Sequence, residues 1–195
     1  MGKQKYQEKI EAAIAKSPVV SYASLARIIT FQKKVKQYPK QLVRHLILKG
    51  KLKPLTKGYY TAFEEISLAV FCFQPAYLGL QDALSYHNLW EQETIPVIIT
   101  VRKIRTGLRK ALGKNIFIHR IQPKYYFGIE YSPQDTFALP YSDIEKTLID
   151  FVHFKQKMAR ETIKEFKQKI RPKKLKEYLK KYPKQTRERV LRLLE

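Results

Sequence analysis

Pro39-Lys40-Gln41-Leu42-Val43-Arg44-His45-Leu46-Ile47-Leu48-Lys49-Gly50, followed by Lys51–Leu55, Thr56-Lys57-Gly58 and Tyr59–Thr61, is the stretch on which the reading of this chain turns. Proline suits the first position of a helix, because its fixed φ is already helical and its missing N–H is one the first turn leaves unpaired. Gly50 is placed to stop that helix by taking the left-handed conformation after its last turn. Leu42, Val43, Leu46 and Ile47 fall at helical spacing and form an apolar face. Lys40, Gln41, Arg44, His45 and Lys49 are left on the other side. The two short runs that follow, joined by a Gly-containing turn with Lys57 at its tip, predict a β-hairpin.

Working outward toward the N-terminus, Lys5–Lys16 has Ile10, Ala13 and Ile14 spaced as one face of a helix. Ser17-Pro18 ends it, since a residue before proline avoids the helical region. Val19-Val20 reads as extended, and Ser21 as the N-cap of a second helix over Tyr22–Ile29, with Leu25, Ile28 and Ile29 inward. A polar connection, Gln32–Gln37, leads into the third helix. Three helices and then a basic hairpin is the order of a winged helix-turn-helix, here over residues 1–61. A helix fits the major groove of duplex DNA, and residues near its N-terminus reach base edges. Arg44 can donate two hydrogen bonds to guanine and Gln41 can pair with adenine, while Lys57 would lie along a phosphate backbone or a minor groove.

The charge distribution points the same way. Thirty-nine basic residues face seventeen acidic ones, a net +22. Residues 1–61 carry net +12, residues 62–152 net −1 and residues 153–195 net +11. A near-neutral centre between two basic ends calls for a polyanionic partner and suggests three segments, with boundaries after Thr61 and His153. The longest apolar runs, near Ala69–Phe73 and Pro96–Thr100, are far short of a membrane span. Met1–Lys9 lacks the apolar stretch of a signal peptide. A soluble, cytoplasmic protein with no membrane partner is expected. The basic amphipathic helices of the tail lack Trp and the wide apolar face of a membrane-surface helix.

Residues 62–153 read as a small mixed α/β domain, so the fold class is α/β. Gln81–Asn88 looks helical; Pro96–Val101, Ile116–Ile121 and Tyr125–Tyr131 look like strands, being rich in β-branched and aromatic residues. Glu64–Phe73 is open between helix and buried strand. Asp143–Val152 is a helix, with Ser142 and Glu145 spaced as a capping box and Ile144, Leu148, Ile149 and Val152 as its apolar face. Residues 154–195 read as a separate basic helical tail, Lys155–Lys169, Lys173–Lys181 and Lys184–Leu194, broken at Pro172 and Pro183. Lys180-Lys181-Tyr182-Pro183-Lys184-Gln185 echoes Lys36-Gln37-Tyr38-Pro39-Lys40-Gln41, too short a match for a repeat.

Four stretches of this region resemble one family. Tyr77-Leu78-Gly79-Leu80-Gln81-Asp82-Ala83-Leu84-Ser85-Tyr86-His87-Asn88-Leu89 is similar to a helix of the AbiEi family, the antitoxins of type IV abortive-infection toxin–antitoxin systems. Ile99-Thr100-Val101-Arg102-Lys103-Ile104-Arg105 resembles its strand and basic loop, and Phe127-Gly128 a following aromatic-glycine pair. Ala138-Leu139-Pro140, with Glu145-Lys146-Thr147-Leu148-Ile149-Asp150 after it, resembles its last helix. Order and spacing hold from about residue 5 to residue 153. Asn88 departs from the pattern, standing where the family has Gly, and the basic tail is heavier than the family's. The resemblance implies an N-terminal DNA-binding domain that represses its own operon and a second domain needed to counter a nucleotidyltransferase-like toxin. Related regulators share these domains without a toxin partner.

No constellation for chemistry emerges. His45, His87, His119 and His153 are scattered without metal-ligand spacing, Cys72 is the only cysteine, and there is no Gly-rich phosphate loop. His87 reads as a hydrogen-bonded structural histidine and Cys72 as a core thiol. No metal, cofactor or catalytic residue is expected, and the protein is read as a non-enzyme. A metal-dependent nuclease would need carboxylates at strand ends beside a lysine, and Glu145-Lys146 lies on a helix instead. An RNA binder would expose stacking aromatics, for which Tyr125, Tyr126 and Phe127 are the available cluster. Arg102, Lys103, Arg105, Arg109 and Lys110 form a basic cluster able to touch DNA or a partner, or to remain a solvated loop.

Overall fold

A computed structural model describes residues 9–14, 17–30, 38–91, 94–133 and 137–195, without the side chains of residues 29, 30 and 38. The Gln32–Gln37 connection lies outside the described residues, as do the start of the first helix before residue 9 and the inward side chain expected of Ile29. The protein is mixed α/β and divides into two compact units. The first runs through Cys72 and also takes in Lys110–Asn115; the second comprises Phe73–Arg109 and Ile116–Glu195.

The first unit contains α1 (residues 9–14), β1 (Val20–Ser21), α2 (Tyr22–Thr30), α3 (Tyr38–Leu48), β2 (Lys53–Thr56) and β3 (Tyr59–Thr61). Ser21 caps α2 as its sequence suggested: the Ser24 N–H donates to its Oγ at 3.0 Å. At the end of α3 Gly50 has φ +69°. Its N–H donates to the Ile47 carbonyl at 2.9 Å, and the Lys51 N–H to the Leu46 carbonyl at 2.9 Å. Those two bonds close the helix with the left-handed residue in the place that favours glycine. β2 and β3 form the expected hairpin around Lys57-Gly58, and β1 adds to it in the antiparallel order β1-β3-β2. The Tyr22 N–H donates to the Gly58 carbonyl at 2.8 Å, which pins the hairpin turn to the first residue of α2. Ile10, Ile14, Val20, Leu25, Leu42, Val43, Leu46 and Leu52 make one buried cluster under these elements.

The second unit is built on a six-stranded sheet in the order β6-β7-β5-β4-β9-β8. Its strands are β4 (Ala76–Leu78), β5 (Val97–Thr100), β6 (Gly107–Ala111), β7 (Lys114–Arg120), β8 (Ile129–Tyr131) and β9 (Pro140–Ser142). β5 runs parallel to β7 and β4 parallel to β9, while β4–β5 and β8–β9 are antiparallel. The helices are α4 (Gln81–Tyr86), α5 (Ile144–His153), α6 (Arg160–Lys169), α7 (Pro172–Leu179) and α8 (Lys184–Leu194). Tyr77 and Ile99 from the sheet share a buried cluster with Leu148, Ile149 and Phe151 of α5 and with Phe166, Leu175, Leu179, Tyr182 and Val190. At the alternate positions Leu78, Ile98 and Ile118 are fully buried too, so the central strands bury both faces, and their sequence reads as a continuous apolar run for that reason.

Several expectations are corrected. The tail is not a separate segment after residue 153: Phe166 and Val190 have no exposed surface and belong to the core of the sheet domain. The first compact unit extends past Thr61 to Cys72 and includes a hairpin tip from far along the chain. Glu64–Phe73 resolves as a 3-10 helix over Ile66–Phe73. Tyr125–Tyr131 is not one strand: a 3-10 turn at Pro123–Tyr125 precedes the three-residue β8, and Gly128 at φ +64° separates them. A Cβ there would meet the Tyr178 ring at 2.8 Å and the Lys146 Cβ at 3.0 Å, so position 128 requires glycine for space as well as for φ. The cap of α5 is Asp143, whose Oδ1 accepts from the Lys146 N–H at 2.8 Å, and not the Ser142/Glu145 box.

Candidate nucleic-acid interface

α3 presents two faces. Leu42, Val43 and Leu46 are buried, and Lys40, Gln41, Arg44, His45 and Lys49 are all exposed, as the spacing required. Lys40 and Arg44, like Gln41 and His45, are one turn apart, so the polar groups lie in a strip along the helix rather than around it. No described carboxylate lies within ion-pair distance of Lys40, Arg44, Lys49 or Lys57. Leu48, 77 % exposed, stands in the same strip, and no hydrogen-bonding group on its side chain marks it in the sequence. An exposed leucine beside Arg44 and Lys49 is a suitable contact for the methyl group of thymine.

Lys57 is exposed at the β2–β3 turn. Two other cations of this unit are paired: Lys51 with Glu11 at 2.5 Å and Lys53 with Glu64. The Lys53 hydrogen bond and its charge hold the Glu64 carboxyl below its ordinary pKa. Both pairs are solvent-exposed and contribute little to stability. What they do is take Lys51 and Lys53 out of the uncompensated charge of the first unit, which α3 and the hairpin tip share with Lys9 and Arg27.

The second basic cluster is dispersed. Arg102, Lys103 and Arg105 lie on the loop after β5, Arg109 and Lys110 lie along β6, and all five are exposed. The Arg109 Nη2 donates to the Arg105 carbonyl at 2.8 Å, which fixes the geometry of that loop.

A dense polar group among the described residues lies elsewhere and was not legible in the sequence. Lys146 and Asp150, one turn apart on α5, are fully buried and ion-paired, and the Tyr77 hydroxyl donates to Asp150 Oδ2 at 2.7 Å while accepting from Lys146 Nζ at 2.8 Å. Burial pushes the Lys146 ammonium down and the Asp150 carboxyl up, each opposed by the other's charge. With no exposed surface on any of the three, this group ties the helix to the sheet. Beside it, Lys174 Nζ approaches Asp143 Oδ2 at 2.8 Å and Glu145 Oε2 at 3.0 Å, the latter without hydrogen-bond alignment. The Arg171 N–H donates to Glu145 Oε1 at 2.9 Å and the Tyr178 hydroxyl to Asp143 Oδ2 at 2.8 Å. Burial raises the Glu145 carboxyl, but the bond from the Arg171 N–H and the charge of Lys174 outweigh it and hold the group below its ordinary value. Glu145 therefore fastens α7 to α5 rather than capping its own helix.

The remaining candidates have structural partners. His87 Nε2 lies 2.8 Å from the Ser142 carbonyl, and Cys72 is buried. Tyr125 stacks on Tyr182 at 4.3 Å and Phe127 meets Tyr178 edge-on at 4.8 Å, so two of the three aromatics that an RNA-binding reading would use are covered by the C-terminal helices. Among the described residues there is no group of three or more His, Cys, Asp or Glu arranged to hold a metal, and no helix long and apolar enough to cross a membrane.

No family model matches this chain and no curated protein sequence does. Among solved structures it is similar to the RV2827C protein from Mycobacterium tuberculosis, with a TM-score of 0.65 and 15 % identity over 97 % of this chain and 76 % of that one. At that identity the likeness is one of fold, and it spans both compact units.

Proposed function

We propose that this chain binds double-stranded DNA sequence-specifically and represses transcription, its first unit acting as a winged helix-turn-helix. α3 is the recognition helix and the β2–β3 hairpin the wing. The observation that carries the reading is the strip of Lys40, Gln41, Arg44, His45, Leu48 and Lys49, exposed on a helix whose opposite face is held in the core. Exposed groups that can read guanine, read adenine and hold phosphates on one helix face support that reading. The AbiEi resemblance extends the proposal: the protein is the autoregulating antitoxin of a nucleotidyltransferase-like toxin, working in the cytoplasm and needing no cofactor. A stand-alone regulator with the same domains is the second reading, and the same resemblance extends to it, since related regulators share these domains without a toxin.

The test is a titration of the protein against the DNA upstream of its own gene and against a scrambled duplex, at several salt concentrations. Preference for the upstream DNA is expected, with affinity falling by about 0.9 decade per decade of salt for each phosphate neutralised. A flat salt dependence, or equal affinity for the two duplexes, overturns the proposal. Relief by this protein of growth arrest caused by the neighbouring toxin gene separates the antitoxin from the stand-alone regulator.

A further inference from the structure

One turn of the first unit comes from far along the chain. Ala111 ends β6, Lys114 begins β7, and the residues between them, Leu112 and Gly113, stand at φ +48° and +76°. Two successive left-handed residues make the tight turn that suits a hairpin, at positions that glycine, asparagine and aspartate favour. A leucine in the first of them is strained, and such strain persists where the surroundings over-determine it. Here the surroundings are β2: the Leu112 N–H donates to the Leu55 carbonyl at 3.0 Å, on the edge of β2 that β3 leaves open. Leu112 is partly buried, and Ala111 and Leu55 beside it are buried. The turn is therefore docked one strand out from the hairpin that ends in Lys57-Gly58. Docking leaves its cations outside. Lys110 and Lys114 are exposed, and neither is within ion-pair distance of a described carboxylate. Lys114 comes close enough to Glu64 for its charge to reinforce the Lys53 hydrogen bond and charge that hold that carboxyl below its ordinary pKa. Glu64 itself is paired with Lys53.

We propose that the β6–β7 turn is a second wing of the DNA-binding unit, and that its Lys110 and Lys114 hold phosphates of the same duplex that α3 reads. The inference rests on the DNA-binding reading of the first unit and deepens it. The β2–β3 hairpin alone presents Lys57 at its turn. A second turn docked on the outer edge of β2 adds two cations to that end of the unit and lengthens the track along the backbone. A lysine holds phosphate as a point charge and carries no sequence information. The bond from Leu112 to Leu55 is the positioning part: it fixes where two long side chains leave the surface, and neighbouring cations sum to a potential that draws in a polyanion.

Lys110→Gln, Lys114→Gln and the double variant are to be compared with the parent on the upstream and the scrambled duplex, between about 0.05 and 0.2 M salt. Both side chains are exposed, so the fold is kept, and the thermal transition checks it. The double variant is expected to bind both duplexes about tenfold or more weakly at about 0.1 M salt, by the same factor, with a salt slope lower by about two contacts. Lys114→Arg keeps the charge and should bind as the parent does. In ¹⁵N-labelled parent the Gly113 amide signal should move when scrambled duplex is added. A parent that binds neither duplex overturns the reading of the first unit, and this inference with it. A parent that binds with a steep salt dependence, beside a double variant of unchanged affinity and slope, overturns the second wing alone. So does a Gly113 signal that stays in place, or a changed ratio between the duplexes, which would make these lysines readers of sequence.

Discussion

Three residues end their helices in the same way and differ only in side chain. Gly50, Asn88 and Lys155 sit at φ +69°, +54° and +55°, each followed by the pair of hydrogen bonds that closes the last turn. The AbiEi pattern has glycine where Asn88 stands, and asparagine is the side chain that best tolerates the left-handed region. Lysine has no such dispensation. Lys155→Gly is expected to stabilise the protein by about 1 kcal/mol and Asn88→Gly by only a few tenths, read as shifts of the urea midpoint. A lower midpoint for Lys155→Gly would mean that its side chain, not its backbone, matters there. Asp82 makes a second prediction. Burial pushes its carboxyl from the ordinary 3.8 to about 7, against a hydrogen bond from the Val97 N–H at 2.5 Å. Between those values the folded state keeps a proton that the unfolded state has released, so stability falls as pH rises from 3.8 to about 7. Asp82→Asn keeps the acceptor for Val97 and removes the charge. It should match the parent near about pH 4 and exceed it by roughly 2–4 kcal/mol near about pH 8. Parallel pH–stability curves would show that Asp82 is ionised and solvated in the fold.

At the scale of elements, the two parts of the proposed DNA interface are separable. A bidentate arginine–guanine contact discriminates by about 1–3 kcal/mol, whereas a phosphate contact adds affinity to every sequence alike. Arg44→Ala on α3 is therefore expected to narrow the gap between upstream and scrambled DNA by about one to two decades. Lys57→Ala on the hairpin should weaken both duplexes together and lower the salt slope by about one contact. An unchanged ratio with Arg44→Ala, together with a collapsed ratio on Arg187→Ala in α8, would move the reading of sequence to the C-terminal helices. Elements with local signals were legible from sequence alone: Ser21, Pro39, Gly50 and Gly58 each mark an end or a turn that the structure keeps. β4, β6 and β9 were not, because strands of three to five residues show no usable alternation, and β9 opens with Pro140. The buried Lys146–Asp150 pair was hidden for a different reason. Opposite charges one turn apart look like a solvated helix face, and only the Tyr77 hydroxyl, brought from a distant strand, reveals that the pair is internal.

For the molecule as a whole, the charge profile suggested three successive segments, and the fold ignores that division. Lysines and arginines say which surfaces meet water, but the sparse apolar positions of the tail decide where it packs: Phe166, Leu175, Leu179, Tyr182 and Val190 all join the core that Tyr77 and Ile99 begin. Phe166→Ala should accordingly cost about 3–5 kcal/mol. It should lower the thermal transition seen by Trp90, which packs against the same core. An unchanged Trp90 transition would mean that the tail is a separate module after all. The discontinuity has a consequence for synthesis. On the ribosome the first unit gains residues 110–115, and the core of the second gains Val190, only after the rest of each has emerged. At about 5–20 residues per second, the sheet side chains wait roughly 5–20 s between emergence of Ile99 and arrival of Val190. A nascent chain in that interval has strands without their cover, and a chain that stops short of α8 lacks the Val190 side chain that packs in the same core as Tyr77 and Ile99.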